Sequence, residues 1–401
     1  MIQTIKIENF KSIVDLKLDL GKFNVIIGTN GCGKTNILEA ITLASAAAQD
    51  KLDTEYLLNR DIRITSPQFM TNAFEDIDFS EDSVSNKVIK LSVQAKSKIS
   101  SISYITYAPQ LKKWIDLANG TDKYRIKNIL ENLNKNLNKN SNKNSNKNSN
   151  INLDNLLDLD FDHIEETEPN LYHDIKELII DKPELSSFLT YRPSETFLRK
   201  TFDTSITPIG LKGEGLLRYL KELDKTNDQN KILFKEINNG LHLLDWFDNF
   251  SIPEDTLSTE YTLSIGDKYL KESLHNFDQQ STNEGFLFLL FYLTLFNSPD
   301  TPKFFAIDNI ETSFNPKLCT RITKCLVDAT LEKGKQVIIT THSPYVLDGL
   351  DLSNDDIRLF VARRDIDGHT RIERISYRED RTMPLSELWM SGLIGGLPDN
   401  F

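Results

Sequence analysis

Gly28-Thr29-Asn30-Gly31-Cys32-Gly33-Lys34-Thr35 sets four residues between its first glycine and Gly-Lys-Thr, the spacing of a phosphate-binding P-loop. Its neighbours give it the required setting. Upstream, Phe23 to Ile27 is nearly all apolar, as a central strand covered on both faces must be. Downstream, Asn36 to Ala48 is composed of helix formers, so the motif reads as strand, loop, helix. In such a loop the glycines let backbone N–H groups of Asn30, Gly31, Cys32, Gly33 and Asn36 curl around an anion, and the positive end of the helix adds to the attraction. Lys34 would reach the β and γ phosphates of a nucleotide, and the Thr35 hydroxyl would bind Mg2+.

Further from the loop, Thr4 to Ile7 and Val14 to Leu20 read as strands, the latter alternating at Leu16, Leu18 and Leu20. Val88 to Ala95 and Ile99 to Tyr107 alternate likewise, giving a mixed lobe over 1–107. The tract 132–150 repeats Asn, Lys and Ser with lysines at 135, 139, 143 and 147 and no acid, so it reads as a disordered linker with a small helical insertion around it, over 108–189. From 190 to 401 come the glycines 210, 213 and 215, helical segments to about 250, a hairpin at Tyr261 to Tyr269 and an apolar helix at 285–296. Strand Phe304 to Ile307, helix Lys317 to Lys333, strand Val337 to Thr340 and a hairpin of Arg358 to Ala362 with Arg371 to Ser376 follow. Strands alternating with helices predict an α/β fold with a wound parallel sheet.

Two strand ends supply further chemistry. Phe304-Phe305-Ala306-Ile307-Asp308 is an apolar strand ending in a carboxylate, the place for the second Mg2+ ligand of a P-loop ATPase. One helix and one strand later, Thr340-Thr341-His342-Ser343-Pro344 sets His342 where it can contact a γ-phosphate.

Composition narrows the setting. A net charge of -12, from 47 basic and 59 acidic residues, excludes a wholesale basic coat, although a local DNA-binding patch stays possible. Cys32, Cys319 and Cys325 form neither a disulfide framework nor a zinc-ligand cluster, which fits a reducing cytoplasm. No apolar run approaches the roughly 18 to 20 residues that span a bilayer, and the N-terminus lacks a secretory layout. Neither membrane insertion nor export is expected.

The opening Ile7-Glu8-Asn9-Phe10-Lys11-Ser12-Ile13, the stretch from Asn30 to Ile41 and Thr341-His342-Ser343-Pro344 resemble the ABC-type ATPase heads of the SMC, RecF and overcoming-lysogenisation-defect class. The resemblance covers about 1–107 and 190–401 and implies a homodimer in which ATP and Mg2+ are sandwiched between two heads. It makes Ser281, in Ser281-Thr282-Asn283-Glu284, the residue that caps the partner's ATP, although both glycines of the family's Ser-Gly-Gly-Glu are replaced. Ser followed three residues later by Glu is also a helix capping box. Gln68 stands as the family's Mg2+- and water-sensing glutamine, or as a surface glutamine. Arg60 and Arg63 either contact phosphate or DNA or belong to a solvated or salt-bridged face.

The departure is Asn309, which sits where the family places a catalytic glutamate. An amide cannot take a proton from water as a carboxylate does, and loss of a general base costs about 100- to 10,000-fold in rate. Slow hydrolysis is therefore expected unless Glu311 swings in as the base; Glu311 belongs equally to a dimer-facing loop, Glu311 to Pro316. The stretch after His342 is too short for a Toprim nuclease, and Asp365-Ile366-Asp367 reads as hairpin chemistry closed at Gly368. The expected role is an ATPase subunit that regulates or senses for a separately encoded effector, a nuclease, in antiphage defence. A RecF-like DNA-repair clamp, a nucleotide-gated scaffold and an importer cassette are the rivals.

Overall fold

The computed structural model describes residues 1–72, 88–95, 100–108, 113–116, 182–200, 208–223, 227–253, 262–271, 276–380 and 382–397. The Asn/Lys/Ser tract at 132–150 and its flanks at 154–168 and 171–180 lie outside them.

Among the described residues the central sheet has six strands: β3 (Phe23–Ile27), β7 (Thr190–Tyr191), β11 (Phe304–Ile307), β12 (Gln336–Thr340), β13 (Ile357–Arg364) and β14 (Thr370–Ile375). Their spatial order is β14-β13-β3-β12-β11-β7, parallel throughout except for the β13–β14 hairpin. Every residue of β3, β11 and β12 is buried, as a sheet covered on both faces requires. Alternate side chains serve different cores. Val25, Phe305, Ile307, Val337 and Ile339 join one that holds the apolar helix Glu284–Asn297, while Ile26, Phe304, Ala306 and Ile338 join another that holds helix Lys34–Ala48. Asn24 is the polar exception in β3, and its amide is matched to Gly21 and to the Val337 carbonyl at 2.8 to 3.0 Å.

The second core is closed by an antiparallel sheet in the order β2-β1-β4-β5-β6, formed by β1 (Ile2–Phe10), β2 (Ile13–Asp19), β4 (Ile89–Ala95), β5 (Ser100–Ala108) and β6 (Lys113–Asp116). β4 alternates buried and half-buried along its length, as read from its sequence.

Two details differ from the sequence reading. The described part of the hairpin read at Tyr261 to Tyr269, residues 262–269, holds a single strand: β9 (Ser264–Asp267) is the middle strand of a three-stranded sheet between β8 (Phe247–Ser251) and β10 (Asn276–Phe277). Four residues are too few for two strands and a turn, and Leu263 and Ile265 alternate inward as a single strand does. The cap of helix Glu284–Asn297 is Asn283, whose Oδ1 accepts the Phe286 N–H at 3.0 Å, not Ser281. The segment around Trp389 docks on its own chain: Trp389 is buried, Ile394 and Leu397 pack against the same core, and Gly396 lies against Val361 and the Gly28 backbone. Among the described residues no helix is long and apolar enough to cross a membrane.

Candidate functional site

Parallel α/β sheets bind ligands beyond the carboxyl ends of their strands, and four such ends meet here. The P-loop follows β3, Asp308 follows β11, Thr341 and His342 follow β12, and Arg192 follows β7.

The P-loop is held open from behind. Gly33 has φ 106°, and a Cβ there would lie 2.1 Å from Thr370 Oγ1, so only glycine fits. Thr370 in turn donates to the Cys32 carbonyl at 2.9 Å and shares a 2.7 Å hydrogen bond with Ser12. Arg364 donates to the Gly31 carbonyl at 3.0 Å. Helix Lys34–Ala48 starts at Gly33 with no side-chain cap and no acid in its first turn, leaving its first N–H donors for an anion. No atom lies within 4 Å of a Cβ built on Gly31, so the outer side of the loop is open.

Lys34 is buried and folds back onto its own loop, donating to the carbonyls of Gly28 at 2.7 Å and Thr29 at 3.1 Å. Burial lowers its pKa, and the carboxylates of Asp308 and Glu311 oppose that fall. Thr35 donates from Oγ1 to Asp308 Oδ2 at 3.3 Å, which joins the two predicted Mg2+ ligands. Gln68 is not with them. It is exposed on the short helix Pro67–Met70 and makes no hydrogen bond to Thr35 or Asp308.

Asn309 and Glu311 are sorted by backbone geometry. Asn309 takes a left-handed conformation, φ 59°, its N–H on Thr340 Oγ1 at 3.0 Å and its side chain exposed. The turn that follows returns Glu311 to the site, where it accepts from Thr341 Oγ1 at 2.8 Å and from the His342 N–H at 2.9 Å. Partial burial and the Lys34 ammonium pull the His342 pKa below its usual value, against Glu311 and Asp308, so its ring is neutral at pH 7.

Beside the P-loop lies a cavity of about 350 Å³ whose walls include Lys11, Ser12, Asn36, Arg63, Phe69 and Arg364. Two of its cations are braced by one buried carboxylate: Glu39 pairs with Lys11 and with Arg63, both at 2.6 Å. Asn36 spans the floor, donating to Ser12 at 2.7 Å and accepting from Arg63 at 3.0 Å. Arg60 has a local structural role instead, donating to the Phe188 carbonyl at 2.9 Å and stacking on Tyr56.

Ser281 is exposed in a turn, where its N–H and hydroxyl both bond Asp278 Oδ1. It makes no hydrogen bond to the P-loop of its own chain. The turn is clipped by Arg199, which donates to the carbonyls of Gln279, Gln280 and Thr282. Glu284 accepts from Ser313 at 2.7 Å, tying this segment to the loop that carries Glu311.

The sequence reading missed Arg192, Arg199, Arg364 and Thr370. Arg192 follows the strand Thr190–Tyr191 directly, but a two-residue strand carries no periodicity that would mark it.

An uncharacterized protein of Methanocaldococcus jannaschii is 48% identical over 50 residues, 12% of this chain and 23% of that protein. The DNA replication and repair protein RecF of Pasteurella multocida is 31% identical over 134 residues, 31% of this chain and 36% of RecF. The chain thus aligns with well under two thirds of either relative. Among solved structures, the SMC head bound to the C-winged helix domain of ScpA superposes with a TM-score of 0.54 at 12% identity, covering 94% of this chain and 98% of that one. That likeness gives the fold, that of an SMC head. Residues 23–348 match the family model "AAA domain, putative AbiEii toxin, Type IV TA system". Since the match runs from the first residue of β3 to beyond His342, the chain belongs to this AAA-domain family.

Proposed function

We propose that the protein binds ATP with Mg2+ and hydrolyses it slowly, and that ATP joins two copies head to tail in a homodimer that controls a separately encoded effector, a nuclease, in antiphage defence. The observation that carries the nucleotide reading is the meeting of an uncapped helix start, Lys34, Thr35 and Asp308 at one sheet edge.

The residues fit the ligands. Thr35 Oγ1 and the Asp308 carboxylate are hard oxygen donors, the set Mg2+ prefers, and the open face at Gly31 admits phosphate. Bound metal would supply charge neutralisation on the phosphate oxygens. Lys34 would exchange the Gly28 and Thr29 carbonyls for phosphate oxygens, relieving a buried ammonium of neutral partners. Glu311, whose two oxygens are already engaged by the Thr341 hydroxyl and the His342 N–H, would be a weakened base for the attacking water, which keeps hydrolysis slow, and neutral His342 would donate a hydrogen bond to the terminal phosphate. The cavity beside the loop is the place for the nucleoside, with Phe69 as an apolar wall.

The defence role is supported by the sequence resemblance and by a family description that names a toxin of a toxin–antitoxin system. The RecF alignment favours a second reading, an ATP-closed DNA clamp, which requires ATP-dependent and salt-sensitive DNA binding by the isolated protein.

Calorimetric titration of ATP tests the site. Lys34→Ala should weaken binding by about 10- to 100-fold, the effect of losing charge-assisted hydrogen bonds to phosphate. Unchanged affinity would overturn the phosphate cradle.

A further inference from the structure

We propose that Arg192 is a tethered counter-cation for Asp308, which must release that carboxylate before a divalent metal can bind, and that Asp61 is the seat onto which it withdraws. The inference rests on the reading of Asp308 as a metal ligand.

Register places the pair. β7 and β11 run parallel with Thr190 opposite Ala306 and Tyr191 opposite Ile307, so Arg192 and Asp308 leave the sheet side by side. The backbone fixes both: the Asp308 N–H donates to the Tyr191 carbonyl at 3.1 Å, and the Arg192 N–H to the Leu211 carbonyl at 2.8 Å. From there Arg192 lies against Asp308 Oδ2 through Nε and Nη2, each at 2.9 Å. Its remaining nitrogen, Nη1, is ion-paired with Asp61.

Oxygen accounting makes metal and guanidinium rivals. Asp308 Oδ1 accepts from the Thr340 hydroxyl, and Oδ2 is shared by Thr35 and Arg192. A metal ligated by Thr35 and Asp308 needs the Oδ2 lone pairs that the guanidinium now holds, and two cations at one oxygen repel each other. Yet Asp308 cannot stand alone, because its side chain is only 7% exposed and a buried carboxylate without a partner is costly. Arg192 therefore keeps the site neutralised until the metal replaces it. Asp61 lies on the far side of the guanidinium, just past helix Thr54–Asn59, and keeps the arginine at the rim when Asp308 is taken.

The probe is Mn2+ alone, titrated into the nucleotide-free protein and followed by the electron paramagnetic resonance signal of the free ion. Arg192→Gln should bind Mn2+ about tenfold more tightly than wild type, because a competitor is gone. Asp61→Asn should bind it more weakly, because Arg192 then has only Asp308 to pair with. Arg192→Lys, which keeps the charge, should stay close to wild type. These opposed directions separate competition from damage, since a misfolded site would weaken Mn2+ in every variant. Equal or weaker binding by Arg192→Gln overturns the proposal. The metal reading beneath it fails on a different result, Asp308→Ala leaving Mn2+ affinity unchanged in both the wild-type and Arg192→Gln backgrounds.

Discussion

Asn309 holds the left-handed backbone that asparagine tolerates better than most residues, and this turns its amide to solvent while the chain doubles back to deliver Glu311. Glu311 is held by the Thr341 hydroxyl and the His342 N–H, on the same side as Lys34. Glu311→Gln should therefore lower phosphate release by about 100- to 10,000-fold with ATP affinity retained, whereas Asn309→Gly should change the rate only a few-fold. Comparable rates in wild type and Glu311→Gln would mean that another base acts. The P-loop, Asp308 and His342 could be found in the sequence because each ends an apolar strand, a pattern carried by neighbouring residues. Arg192 could not, since its importance comes from a register between segments more than a hundred positions apart. The assignment of Gln68 rests on the family resemblance, and its surrounding residues carry no pattern that says what lies beside the Asp308 strand.

Helix Glu284–Asn297 shows how an almost wholly apolar segment is fitted into the fold without loose polar ends. Asn283 caps its start, and Lys335, just before β12, donates to the Leu295 carbonyl at 3.0 Å and to Thr301 Oγ1 at 2.6 Å near its finish. Burial pushes the Lys335 pKa down to about 7 from the usual 10.5. Between those values the unfolded chain holds a proton that the folded chain has lost, so this group makes stability rise with pH across that window, by up to about 1 kcal/mol per pH unit. In urea denaturation at pH 7, 8 and 9, Lys335→Met should show a flatter rise than wild type; parallel curves would contradict the assignment. The buried strands and this helix were legible because composition alone marks them. β8 and β10 were not, since short half-exposed strands gain their identity only from the partner they meet.

In the molecule as a whole, Ser281 bonds Asp278 and makes no hydrogen bond to the P-loop of its own chain, as the proposed capping of a second copy's nucleotide requires. Light scattering should show a dimer for wild type with ATP and monomers without it, and Ser281→Arg should remain monomeric in both conditions. Equal masses in all four samples would reject trans capping. The Arg199 clip means that such a substitution acts on a surface already shaped, so its effect should fall on association and not on folding.

β3 comes from the first sixth of the sequence yet lies between β12 and β13, which come from the last. Split anywhere between 117 and 181, the chain would yield one fragment bearing the phosphate loop on an unsupported strand and another with a slot through the middle of its sheet. Neither half could close its own core, so the pair would behave as lock and tongue, gaining structure only by finding each other.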